Sequence, residues 1–149
     1  MQATVATPQQ LADALGRLTA HLNGAASPEM FRVLAELKLS FTQMKALFLL
    51  RRHAEMPVKD IAAQLAMSLP AMSRSVDGLV LRGYVARREC ATDRRSKLIA
   101  LLPAGADALG RLLAAREAAV VAFAEGLSDE ERTALHAALL PIADRIPSP

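Results

Sequence analysis

Leu11, Leu15, Leu18 and Leu22 recur at four-three-four spacing and place one apolar stripe along a helix from about Pro8 to Leu22. Asn23-Gly24 is expected to end that helix, and Ser27-Pro28 reads as the N-cap and first residue of a short helix reaching about Leu37. Ser40-Phe41-Thr42-Gln43 has capping-box spacing and opens a helix through Met44, Leu47 and Leu50 to about Arg52. Met56-Pro57-Val58 fits either a brief strand or the start of a helix. Lys59 to Leu65 then makes a short helix with Ile61, Ala62 and Leu65 inward. Ala66-Met67 is a tight connection, Ser68 caps a second helix from Leu69 to about Arg82, and Gly83 is placed to end it in a left-handed conformation.

Two strand-like runs follow, Tyr84 to Arg87 and Leu98 to Leu101, with the polar segment Arg88 to Lys97 as the tip of a hairpin. Pro103 fits the first turn of a long helix to about Glu125, with Leu109, Leu112, Arg116, Val120 and Phe123 along one side; Gly126 stops it. Ser128 to Glu131 is a second capping box, opening a last helix with Leu135, Leu139, Ile142 and Ile146 at four-three-four spacing. The order predicts a mainly α fold with a small β-hairpin wing, a winged helix-turn-helix with helices added at both ends. One domain over 1–149 is expected, with the winged lobe at about 40–102 and the added helices at about 8–37 and 103–146.

The two terminal stripes are long apolar faces on a small chain, and one winged lobe cannot easily cover both. Leu11, Leu15, Leu18, Leu135, Leu139 and Ile142 are therefore the expected contacts of a homodimer, with packing inside one subunit as the alternative.

Composition narrows the class. Of 149 residues 52 % are hydrophobic but only 3 % aromatic, and a chain rich in Ala and Leu favours helix. No apolar run approaches the roughly 18 residues of a membrane span, and the first ten residues lack a signal-peptide pattern, so a cytoplasmic protein with no membrane partner is expected. Cys90 is the single cysteine, and His21, His53 and His136 show no ligand spacing, so neither a disulfide framework nor a metal site is expected. There is no phosphate-binding glycine loop, no carboxylate pair in an apolar setting and no nucleophile signature, which argues against an enzyme and against a cofactor.

Net charge is only +3, but it is unevenly spread. Arg82, Arg87, Arg88, Arg94, Arg95 and Lys97 face only Glu89 and Asp93, a basic stripe that suits an anionic partner or is simply a solvated charge run. On the helix from Leu69, Met72, Val76 and Leu79 cluster on one side with Leu69 and Val80 beside them, while Pro70, Arg74 and Asp77 fall opposite with Ala71 nearby. Small residues around one long cation suit insertion into a major groove, where Arg74 reaches a guanine edge or a phosphate and Ser68 and Ser73 donate to phosphates. The bland reading leaves Ser68 a cap and Arg74 solvated. At the hairpin tip, Arg94 and Arg95 suit a minor groove, with Asp93 holding Arg95; the alternative is an ordinary surface ion pair.

Ser68-Leu-Pro-Ala-Met-Ser-Arg-Ser-Val-Asp-Gly-Leu, Arg82-Gly-Tyr-Val, Asp93-Arg-Arg and Leu101-Leu-Pro-Ala-Gly together resemble the MarR (multiple antibiotic resistance regulator) family. Leu39-Ser-Phe-Thr-Gln and Leu127-Ser-Asp-Glu-Glu match in place, so the resemblance spans nearly the whole chain. It implies a homodimeric repressor that binds double-stranded DNA at a pseudo-palindromic operator. Ser68, Ser73, Arg74, Asp93 and Arg95 stand at DNA-binding positions of the family, and a small aromatic or phenolic effector releases the DNA. Three features depart from the family pattern: Leu102 where Thr is usual, Met44 where an aromatic is frequent, and Glu89 to Thr92 where a proline is usual. Phe31, Met44 and Phe48 are candidate effector contacts, with ordinary core as the alternative. Two other readings compete: a thiol-based redox switch at Cys90, activated by neighbouring arginines, and a winged helix used for protein interaction.

Overall fold

The computed structural model describes residues 5–92 and 97–147. In chain order these form α1 (Pro8–Glu36), α2 (Phe41–His53), β1 (Glu55–Pro57), α3 (Val58–Gln64), α4 (Leu69–Leu81), β2 (Val85–Glu89), β3 (Lys97–Leu101), α5 (Pro103–Glu125) and α6 (Asp129–Ala143). They group into two compact units, residues 32–113 and residues 1–31 with 114–149.

The 32–113 unit is the winged lobe. Its centre is made by Leu47 and Leu50 of α2, Ile61 of α3, Met72, Val76 and Leu79 of α4, Val85 and Ile99 of the sheet, and Leu109 of α5, each at most 1 % exposed. The wing hairpin forms where expected, β2 antiparallel to β3 with Val85 opposite Leu101. However, β2 starts one residue after Tyr84 and the ladder runs further toward the tip, so Arg88, Glu89 and Lys97 are strand residues rather than part of the tip. Met56-Pro57 resolves as strand, and it adds a third member: β1 pairs antiparallel with β3, giving the order β1-β3-β2. A three-residue strand is too short to be legible from alternation. Pro57 sits on it at the edge of the sheet, where its missing N–H costs no ladder bond.

Three helices of this unit end alike. Lys38, Ala66 and Gly83 adopt φ of 53°, 52° and 73°. In each, the next residue donates back to the carbonyl five residues before it, Leu39 to Leu34, Met67 to Ala62 and Tyr84 to Leu79. These are Schellman caps, and only one of them uses glycine. The αL strain at Lys38 and Ala66 is repaid by the bonds the turn makes and by the burial of Leu39.

The first turn of α5 lies against the end of α4's turn. Leu102 N–H donates to the Tyr84 carbonyl at 3.0 Å. A Cβ on Gly105 would overlap that same carbonyl oxygen and lie 2.7 Å from Leu101 Cδ1. Gly105 is thus required by close backbone approach. Leu102 supplies no side-chain cap, as its chemistry dictates; Ala106 N–H bonds to the Leu102 carbonyl.

The other unit holds most of α1, the end of α5, and α6. The expected break at Asn23-Gly24 does not occur: α1 is continuous from Pro8 to Glu36 and carries Pro28 inside it. Ser27 is not an N-cap. Its Oγ donates to the Asn23 carbonyl at 2.6 Å, the bond a serine makes within a helix. The helix-breaking signals are local and worth a few kcal/mol together. The packing of Ala26, Val33 and Leu34, each at most 5 % exposed, outweighs them. α6 begins at the expected capping box, with Ser128 Oγ accepting from Glu131 N–H at 3.2 Å and Glu131 returning to Ser128 N–H at 2.9 Å. Those bonds to Ser128 hold the Glu131 carboxyl below the usual carboxylate range. α6 ends at Ala143, so Ile146 lies beyond it rather than on its stripe.

α6 buries no residue, and Leu139, Leu140 and Ile142 are 44–50 % exposed. On α1, Leu11 and Leu15 are also exposed. A cavity of about 290 Å³ is lined almost wholly by apolar groups, among them Leu18, Leu22, Phe123, Leu135 and Leu139. No helix among the described residues is long and apolar enough to cross a membrane.

Candidate nucleic-acid interface

The interface is built on α4. Ser68 caps it as expected, its Oγ accepting from Ala71 N–H at 3.3 Å, and Pro70 stands in the first turn. Met72, Val76 and Leu79 are fully buried and fix the helix's rotation. That leaves Ser68, Pro70 and Arg74 exposed, with Ala71 and Ser73 half-buried at the same end. One expectation fails: Leu69 does not join the buried side but is 52 % exposed. At the first helical position it has no preceding turn to pack against, so the 100° projection that put it beside Met72 overstates its burial.

The basic stripe is sorted by the structure into groups with different partners. Arg87 on β2 pairs with Asp77 on α4, which ties the wing to that helix. Lys97 pairs with Glu89 across the hairpin at 3.1 Å. Arg82 leaves the surface stripe, donating to the Lys38 carbonyl and, at 3.4 Å, to Gln43 Oε1. Arg74 and Arg88 are exposed and make no ion pair among the described residues. The charge count treated these side chains as equivalent because a sequence carries no information on which cation finds a carboxylate. Asp93, Arg94 and Arg95 lie outside the described residues. Cys90 is half-buried, with Sγ 3.2 Å from Thr92 Oγ1.

The effector candidates are placed differently from one another. Met44 is 9 % exposed and part of the core, Phe48 is half-buried on the same helix, and Phe31, in the other unit, is 52 % exposed. None of them lines the 290 Å³ cavity. Among the described residues no cluster of His, Cys, Asp or Glu could hold a metal ion.

A helix capped by serine, presenting proline, small residues and one arginine, followed by a hairpin that is ion-paired to it, is the arrangement of a winged helix-turn-helix. Residues 37–96 match the MarR family. Over its winged lobe this chain is similar to the MarR family. It is 38 % identical over 66 residues to an uncharacterized HTH-type transcriptional regulator of Bacillus subtilis, YfiV; that match spans 44 % of this chain and 41 % of the relative. The MarR fold extends further. A MarR-family transcriptional regulator from Silicibacter pomeroyi superposes with a TM-score of 0.55 at 26 % identity, over 95 % of this chain and 93 % of that one. The MepR–DNA complex of S. aureus gives 0.67 at 22 % identity, over 89 % and 97 %. These relatives are described as regulators or DNA complexes rather than as enzymes.

The residue that the sequence reading missed is Gln43. It was assigned only as the third position of a capping box, yet it is also the one buried polar side chain among the described residues, at 8 % exposure. Gly78, an unexplained glycine inside a helix, was the available signal: a Cβ there would come within 2.8 Å of Gln43 Nε2.

Proposed function

We propose that this protein is a homodimeric, sequence-specific double-stranded DNA-binding regulator of transcription in the cytoplasm. It represses from a pseudo-palindromic operator and is released by a small aromatic effector. The observation that carries the reading is the α4 surface: a buried Met72/Val76/Leu79 face opposite an exposed Ser68–Pro70–Arg74 end. In the major groove, Arg74 donates to a guanine edge or a phosphate, while Ser68, Ser73 and the first amides of α4 bind phosphates. Pro70 and Ala71 let the helix approach. Arg88 adds a phosphate contact from the wing.

Two copies meet through the exposed apolar faces of α1 and α6, with Leu11, Leu15, Leu18, Leu135, Leu139 and Ile142 among the contacts. MepR, a structural neighbour, has been seen on an oligodeoxyribonucleotide, which supports the DNA reading by analogy of fold. The exposed Phe31 is the most accessible effector contact.

An electrophoretic shift with the DNA flanking the protein's own gene tests the reading, alongside a scrambled duplex of equal length. A shift confined to the flanking DNA and lost on adding a simple phenol is the expected result. Equal affinity for both duplexes would refute sequence-specific regulation.

A further inference from the structure

We propose that Gln43 is the positioning residue of the reading helix, holding α4 by a directional hydrogen bond where a purely apolar core would leave its orientation to packing alone. The proposal rests on the reading of α4 as the DNA-contacting helix. Gln43 Oε1 accepts from Ser40 N–H at 3.1 Å and from Arg82 at 3.4 Å, while Nε2 donates to the Ser75 carbonyl at 3.1 Å. The amide has one workable orientation: flipped, its NH2 would face two donors and its oxygen would face a carbonyl.

The α4 side of this contact is equally specific. Ser75, Gly78 and Arg82 follow each other at three and four residues and share one face of α4, beside the Met72/Val76/Leu79 face. Gly78 keeps that face open, since a Cβ would sit 2.8 Å from Gln43 Nε2 and 3.1 Å from Arg82 Nη2. A glycine inside a helix is unfavourable relative to alanine, so its presence is explained by the space the amide and guanidinium need. Arg82 extends the hold to the carbonyl of Lys38, in the turn between α1 and α2. α4 is thus gripped by hydrogen bonds from its middle to its C-terminus, while its N-terminal half, which presents Ser68 to Arg74, is held by the packing of Met72.

Gln43→Glu separates positioning from folding. Glutamate serves a capping box as well as glutamine and offers Arg82 a better acceptor, so the lobe stays folded. It cannot donate to the Ser75 carbonyl while ionised, so two oxygens face each other and α4 shifts. The experiment selects a preferred duplex for the wild type from a random-sequence pool, then measures affinity for it and for a scrambled duplex across pH 5 to 8. Gln43→Glu should bind the selected duplex at least about tenfold more weakly at pH 8, with scrambled-duplex affinity unchanged. It should regain affinity towards pH 5 as the carboxyl protonates and can donate again, a pH profile the wild type lacks. Without DNA, amide exchange in α4 should quicken while α3 keeps its protection.

Gly78→Ala should mimic the loss in the wild type and have little effect beside Gln43→Ala, where the obstructing amide is gone. A Gln43→Glu protein with wild-type selectivity, a flat pH profile and unchanged α4 exchange would overturn the proposal. Failure of the wild type to select any duplex would refute the DNA reading instead, and the exchange measurement would then decide whether Gln43 orients α4.

Discussion

Gly105→Ala should destabilise the protein by an amount set by backbone contact. An added Cβ would overlap the Tyr84 carbonyl oxygen, lie 2.7 Å from Leu101 Cδ1 and 3.1 Å from the Tyr84 carbonyl carbon. Two of these atoms are backbone and cannot rotate away, so α5 must move as a unit. Overpacking of this kind costs roughly 1–3 kcal/mol. The displacement also breaks the 3.0 Å bond from Leu102 N–H to that carbonyl, worth about 1 kcal/mol. Replacing glycine in a helix returns at most about 1 kcal/mol, so the net loss is about 1–3 kcal/mol. For a chain of this size each kcal/mol moves Tm by roughly 2–4 °C, which gives a fall of about 2–12 °C. Gly110→Ala in the same helix is the internal control. Nothing lies within 4 Å of its added Cβ, so helix propensity should act alone and raise Tm slightly. Thermal denaturation followed by circular dichroism, at one protein concentration, reads both variants. If Gly105→Ala raises Tm, or if the two variants shift it in the same direction, close backbone approach is not what requires glycine at 105.

Arg74→Ala should weaken binding to a selected duplex by roughly 1–3 kcal/mol per half-site, and titration at fixed salt would return Arg74 to solvent if affinity held. Leu139→Asp should give monomers by sedimentation and lose tight DNA binding with them; a wild type that sediments as a monomer at micromolar concentration would rule out the dimer. Gly83→Ala should cost about 1–2 kcal/mol because its φ is 73°, whereas Ala66→Gly, at φ 52°, should change stability little or raise it in urea titrations. Glu131 titrates below its ordinary value when folded, so its bonds to Ser128 stabilise α6 at neutral pH and are lost as the pH falls through the folded value. The Tm gap between wild type and Glu131→Ala should therefore narrow in acid.

Periodicity and caps made most of this fold legible in the chain itself. Met72, Val76 and Leu79 define the buried face of α4 by spacing alone, and Ser40, Ser68 and Ser128 announce helix starts through a hydroxyl and an amide three residues apart. Such signals are read within one or two turns, where the chain's own covalent geometry brings the partners together. What needed the tertiary structure were the cases in which distant residues compete. The Asn23-Gly24 and Ser27-Pro28 signals lost to packing along α1. The strand at Met56 exists because β3 is there to bond it. Arg87 found Asp77, Lys97 found Glu89, and Arg82 turned to the Lys38 carbonyl, so among the described residues a uniform basic stripe became three ties and one exposed arginine without an ion pair, Arg88. Gln43 and Gly78 are 35 positions apart and explain each other only when α2 lies across α4. A hydrogen bond or a steric overlap depends on distances of a few tenths of an ångström between such residues, and those distances are set by the packing of the whole lobe.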